Sequence, residues 1–131
     1  MTGAGNYTDD VNLANQSYAV FVRSPHAHAT IKGIDLAAAE SMPGVTKIFT
    51  GKDIEGKMGG LPCGWLINNP DGTPMKEPAH PILAIGKVRY VGNHVAMVVA
   101  ETVEQAKNAA EAIVVDYDVL PALVSVADAA K

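Results

Sequence analysis

Several side chains in this sequence belong to types that bind metals or move protons. They are His26, His28, His80, His94, Cys63 and the neighbouring carboxylates Asp9 and Asp10. His26-Ala27-His28 has the most suggestive spacing, because residues two apart on a strand point to one side and neutral imidazole is a common ligand. Zinc needs three or four ligands, however, and His80, His94, Cys63 and the carboxylates stand at no recognisable spacing from the pair. The expectation is therefore a structural turn, in which Ser24-Pro25 ends one strand and the histidines fix the reversal by hydrogen bonding. Cys63 would act as a nucleophile or sulfur ligand only beside a base or cation, and its neighbours Pro62 and Gly64 supply neither. Asp9-Asp10 are adjacent and do not face each other, so a turn or cap role is expected. Gly3-Ala4-Gly5 lacks the third glycine, the preceding strand and the following helix of a dinucleotide site. With no serine elbow, phosphate loop or paired His/Glu helix motif either, no catalytic, cofactor-binding or metal residue is assigned.

The elements that would position these groups read as follows. Residues 1–17 are rich in Gly, Asn, Asp and Thr and form an entry loop. Residues 18–23 are aromatic and β-branched, a short buried strand. Residues 28–34 show an imperfect period of two and make a second strand. Asp35 can cap a helix of about two turns over 36–42, stopped by Pro43-Gly44. Residues 45–50 alternate as a strand, and Gly51-Lys52-Asp53 breaks it. Between 57 and 81 lie Pro62, Pro70, Pro74, Pro78 and Pro81 and the sole tryptophan, Trp65, in an irregular excursion too long for a simple connection. Residues 94–100 are nearly all apolar, as in a central strand covered on both faces. Thr102 and Gln105 form a capping box for the best helix, 103–113, whose apolar stripe is Val103, Ala106, Ala109, Ala110 and Ile113. A last strand ends at Leu120-Pro121, and residues 124–131 read as the start of a further short helix with a frayed end. Strands and helices in this order predict an α+β domain rather than regular βαβ winding.

With 131 residues, 48% of them hydrophobic and 18% charged, the chain can bury a core and is expected to be one domain over 1–131. Free surfaces usually carry about 25–35% charged residues, so part of this one is expected to meet partners. The net charge of −4, with the basic residues scattered, argues against nucleic acid. No run reaches the ~18–20 apolar residues of a membrane span, and the residues after Met1 do not read as a leader. One cysteine permits no disulfide within the chain, which fits a cytoplasmic setting.

Taken together, GAGNYTDD at 3–10, FVRSPHAHA at 21–29, PGVTKIFTGKD at 43–53, GKVRYVGNHVAMVVAET at 86–102 and AAEAIVVDYDVLPA at 109–122 resemble the amino-terminal domain of the molybdenum hydroxylase large subunits. That family includes xanthine dehydrogenase, aldehyde oxidase and aerobic carbon monoxide dehydrogenase, and the wording of these segments is nearest the last. The resemblance implies an α/β hammerhead, with a mixed sheet and two helices near 36–42 and 103–113. It also implies a longer large subunit, in which a molybdopterin cofactor hydroxylates a carbon centre or oxidises carbon monoxide with oxygen from water. Iron–sulfur and flavin subunits would take the electrons. The cofactor-binding segments would lie outside this chain, so the implied role here is scaffold and interface, inactive alone. Asn93-His94 departs from the glutamate and proline more usual in the family. Met1, standing directly before Thr2-Gly3, is read as the start of a trimmed or naturally split subunit. The rival readings are a free-standing binding module with residues 57–81 as a ligand lid, and a small zinc protein.

Overall fold

The computed structural model describes residues 3–129; what the sequence implied for Met1, Thr2, Ala130 and Lys131 lies outside the described residues. After a 3-10 turn at Thr8–Asp10, the chain runs β1 (Tyr18–Arg23), β2 (Ala29–Asp35), α1 (Ala37–Glu40), β3 (Val45–Thr50) and α2 (Gly51–Ile54). It continues as β4 (Lys87–Val88), β5 (His94–Ala100), α3 (Val103–Ala112), β6 (Val114–Val119) and α4 (Val126–Ala129). The α+β class expected from the sequence is observed, with one difference in its sheets. Instead of a single mixed sheet, the strands form two three-stranded antiparallel sheets, ordered β1-β5-β3 and β4-β2-β6.

The division follows from β5, whose residues are apolar on both faces. Ala96 and Val98 point into one cluster with Ile48, Ala39, Ala109 and Ile113, beneath α3 and α1. Val95 points the other way, into a second cluster with Ala29 and Val88 of the second sheet and Ala84. A strand apolar on both sides needs two covers, and the second sheet is one of them, so it packs on the first instead of extending it. Between β1 and β2, Pro25 has no N–H to continue the ladder, and the pairing of β1 with β5 already shifts between Val22 and Arg23.

Helix α1 is shorter than the two turns expected. The Asp35 carboxylate accepts from the Ala37 N–H at 3.0 Å and starts it, but the Ser41 hydroxyl donates to the Ala38 carbonyl at 2.8 Å and ends it before Pro43. Thr102 caps α3 as expected, accepting from the Gln105 N–H at 3.2 Å. The Gln105 carboxamide does not complete the box; it accepts from the Thr102 hydroxyl at 3.0 Å and packs under Gly44, where a Cβ would have to displace it. Gly44, at φ 79°, takes a left-handed turn over it, and its carbonyl accepts from the Glu101 N–H at 2.9 Å. Helix α2 replaces the simple break expected after β3. Thr50 and Asp53 form a capping box, the carboxylate accepting from both the N–H and the hydroxyl of Thr50 at 2.7 Å. Those two bonds hold the Asp53 carboxyl below its usual range.

Candidate functional site

The histidine segment that looked most like a ligand set is held as a turn. Buried Ser24 receives the Gly92 N–H on its carbonyl at 2.8 Å and donates its own N–H to the Asn93 carbonyl at 2.9 Å. Its hydroxyl donates to the His26 carbonyl and accepts the His26 N–H, both at 3.0 Å. The His26 ring lies edge-on to Tyr117, with centroids 5.0 Å apart, while His28 Nδ1 sits 2.8 Å from the Pro121 carbonyl. The two imidazoles thus tie the turn to β6 and to the tail beyond it. Burial pushes the Tyr117 phenol up, partly countered by a hydrogen bond with Ser24.

Asn93 and His94, the departure from the family wording, occupy the same junction. Asn93 is buried and its side-chain oxygen accepts the Arg89 N–H at 3.2 Å. His94 stacks on Phe21, with centroids 4.4 Å apart, and its pKa lies below the usual histidine value mainly because of desolvation, with the Arg23 charge adding to the effect. His80 Nε2 lies 3.2 Å from the Tyr90 hydroxyl. Asp10 accepts the Tyr7 N–H at 2.9 Å and closes the 3-10 turn, and Asp9 lies within that turn. Among the described residues, no three His, Cys, Asp or Glu side chains are grouped to hold a metal ion.

The 57–81 excursion is an ordered finger. Its base closes where the Leu61 N–H donates to the His80 carbonyl at 2.8 Å; a Cβ on Gly60 would lie 2.7 Å from that carbonyl oxygen, so only glycine lets the two limbs approach. Farther out, Asn68 and Pro74 form an antiparallel bridge, and the Asn69 N–H donates to the Thr73 carbonyl at 2.8 Å across a tip that includes Gly72 at φ 83°. The Asp71 carboxylate accepts from the Thr73 hydroxyl at 2.6 Å and its N–H at 2.9 Å, which lowers its pKa. Cys63 is exposed on this finger, its thiol donating to the Trp65 carbonyl at 3.2 Å and its N–H to Glu77 Oε1 at 3.2 Å. Trp65, Leu66 and Ile67 present apolar surface to solvent, Trp65 at 79% exposure. A cleft of about 310 Å³ at the finger's base is lined by Ile54, Met58, Ile82, Ile85 and Arg89 among others. Glu55 joins Arg89 in the lining of that cleft, and the apolar side chains exposed along the finger add contact surface beside it.

The family model for the aldehyde oxidase and xanthine dehydrogenase a/b hammerhead domain matches residues 2–121. The chain belongs to that family. Its hammerhead is similar to the nicotine 6-hydroxylase large subunit of Paenarthrobacter nicotinovorans, 42% identical over 86% of this chain and 13% of that subunit. The carbon monoxide dehydrogenase large chain of Afipia carboxidovorans is 38% identical over 93% of this chain and 14% of its own length. Among solved structures, quinoline 2-oxidoreductase from Pseudomonas putida 86 superposes with a TM-score of 0.87 at 35% identity, covering 99% of this chain and 16% of that one. The hammerhead thus spans about one-seventh of the length of these oxidoreductases. These relatives are molybdenum hydroxylases. Gly60 closes against the His80 carbonyl and opens no helix. Among the described residues, no helix is long and apolar enough to cross a membrane.

The signals that would have located the finger's turn and α2 were present in the sequence: Asn69-Pro70-Asp71-Gly72-Thr73 is a turn composition, and Thr50 with Asp53 three residues on is a capping pattern.

Proposed function

We propose that this chain is the scaffold and interface domain of a molybdenum hydroxylase large subunit of the carbon-monoxide-dehydrogenase-like kind, and that it does not catalyse alone. The observation that carries the reading is the combination of near-complete similarity along this chain with coverage of only 13–16% of the relatives. The exposed finger and the clefts beside it supply contact surface rather than a reacting centre. In this reading the molybdopterin cofactor and the groups that move protons belong to the rest of the large subunit. Iron–sulfur and flavin subunits complete the electron path, in the cytoplasm. The chain's own residues position: the Ser24–His28 turn fixes β1 against β6 and the tail, and the finger extends from a base that Gly60 and His80 hold closed. The relatives' names include nicotine, carbon monoxide and quinoline for similar hammerheads, so substrate choice is assigned to the remainder of the subunit.

Sequencing the locus beyond Lys131 tests this. A frame that continues into cofactor-binding domains, or an adjacent gene encoding them, is the expected result. A stop codon followed by unrelated genes would contradict it and favour a free-standing binding module.

A further inference from the structure

A groove of about 580 Å³ runs between the β4–β5 connection and the tail that follows β6. Tyr90, Val91, Leu123 and Val124 give it an apolar lining, and Val91, Leu123 and Val124 are 66%, 73% and 88% exposed. Lys87 and Arg89 line it too, and no carboxylate does, in a chain whose acidic residues outnumber its basic ones by 14 to 10. Among the described residues neither cation forms an ion pair, the one found joining Lys32 to Asp118, and Arg89 borders this groove as well as the cleft at the finger's base. The groove is also preformed. His28 Nδ1 meets the Pro121 carbonyl at 2.8 Å and the Leu120 N–H donates to the His28 carbonyl at 2.9 Å, which pins the tail along the groove's edge.

We infer that this groove seats a segment of the rest of the large subunit, an apolar stretch bearing a carboxylate that pairs with Arg89 while Lys87 adds a second positive charge. The inference rests on the proposed role of the chain and names the surface through which that role is exercised. Charge complementarity selects the occupant: an arginine fork beside apolar walls fits a carboxylate in two parallel hydrogen bonds, and arginine with aromatic neighbours is enriched where binding energy concentrates. Position supports it as well. The family match ends at residue 121, and the wall built by Leu123 and Val124 lies just past that point. Most of the relatives' length lies beyond the stretch that matches this chain, so an intramolecular occupant is available in such a subunit.

Amide hydrogen exchange on the isolated chain and on the large subunit purified with its cofactor-bearing portion tests the inference. In the assembly, the amides of residues 122–126 and 89–92 are expected to exchange roughly tenfold more slowly or better than in the isolated chain. Arg89→Glu should remove that protection or weaken assembly by roughly tenfold, Arg89→Lys should keep most of it, and the isolated Arg89→Glu chain should melt as wild type does. If Arg89→Glu fails to fold, Leu123→Ser, at an exposed wall position, takes its place with the same expected loss. Protection confined to the finger, with the groove unchanged, overturns the inference and leaves the scaffold role standing. Slow exchange in the isolated chain together with dimers in sedimentation also overturns it, because the groove then pairs with a second copy. Absence of any cofactor-bearing portion defeats the scaffold role itself, and the inference with it.

Discussion

Gly51→Ala strikes the seam where β3 and α2 meet the segment leading out of the finger. Gly51 is buried, and a Cβ built there runs into the Ala84 carbonyl oxygen and lies 2.9 Å from the Ala84 carbonyl carbon. That is about 0.6 Å inside the ~3.5 Å at which two carbons begin to attract. The neighbour cannot retreat cheaply, because it is backbone and because the Ala84 N–H is tied to the His94 carbonyl of β5 at 2.7 Å. Overpacking of this kind costs about 1–3 kcal/mol, and a backbone obstacle places it toward the top of that range. Alanine returns up to about 1 kcal/mol of helix propensity, less in a first turn. The net loss is therefore about 2 kcal/mol. For a domain of this size it lowers Tm by roughly 6–10 °C, taking about 3–5 °C per kcal/mol. Thermal melts followed by circular dichroism would read it, with Gly33→Ala as the control, since a Cβ at Gly33 meets nothing within 4 Å. A Gly51→Ala melt at or above wild type would refute the reasoning, for it would mean that α2 and the 82–86 segment do not touch.

Other perturbations have separable outcomes. Thr102→Ala removes the cap of α3 and should cost about 1 kcal/mol in chemical denaturation, while Thr102→Ser should cost little. Burial, with the Arg23 charge adding to it, depresses His94, so the unfolded chain takes up its proton first as pH falls. The stability is therefore held above the unfolded value near 6.5 and lost as pH drops through the lower folded value. Tm measured between pH 7.5 and pH 5 should fall less steeply in His94→Gln than in wild type; parallel profiles would rule this origin out. Asp53 acts in a lower window, its contribution present above its ordinary value near 3.8 and lost below it, and Asp53→Asn should flatten the acid limb of the same curve. Trp65, the sole tryptophan, should emit as indole in water and be quenched freely by acrylamide in the isolated chain. A blue-shifted, protected emission would show that the finger folds back on the domain.

The legible parts of the fold are those governed by local pattern. Strands at 18–23, 45–50 and 94–100 coincide with β1, β3 and β5 because each is a dense apolar or β-branched run bounded by Gly, Pro or a polar cap. Helix α3 was readable to within a residue because cap and stripe agree. Which strands pair was not readable, since β2 joins β4 and β6 across more than fifty residues, and periodicity carries no partner information. The same distance hid the groove, which unites His28, Lys87, Arg89 and Leu123 only after folding. The histidines, in contrast, could be weighed in advance: two ligands fall short of a site, and the structure gives each a turn partner instead, Ser24 and Tyr117 for His26 and Pro121 for His28.

The central claim is that this hammerhead contributes structure to a molybdenum hydroxylase without holding its reacting centre. Quantifying molybdenum on the chain alone, and on the complex it forms in its native source, tests that claim most directly. The expected result is molybdenum in stoichiometric amount with the complex and none with the isolated chain. Stoichiometric molybdenum on the isolated chain, or recovery of the chain from its source free of any molybdenum-bearing portion, would contradict it.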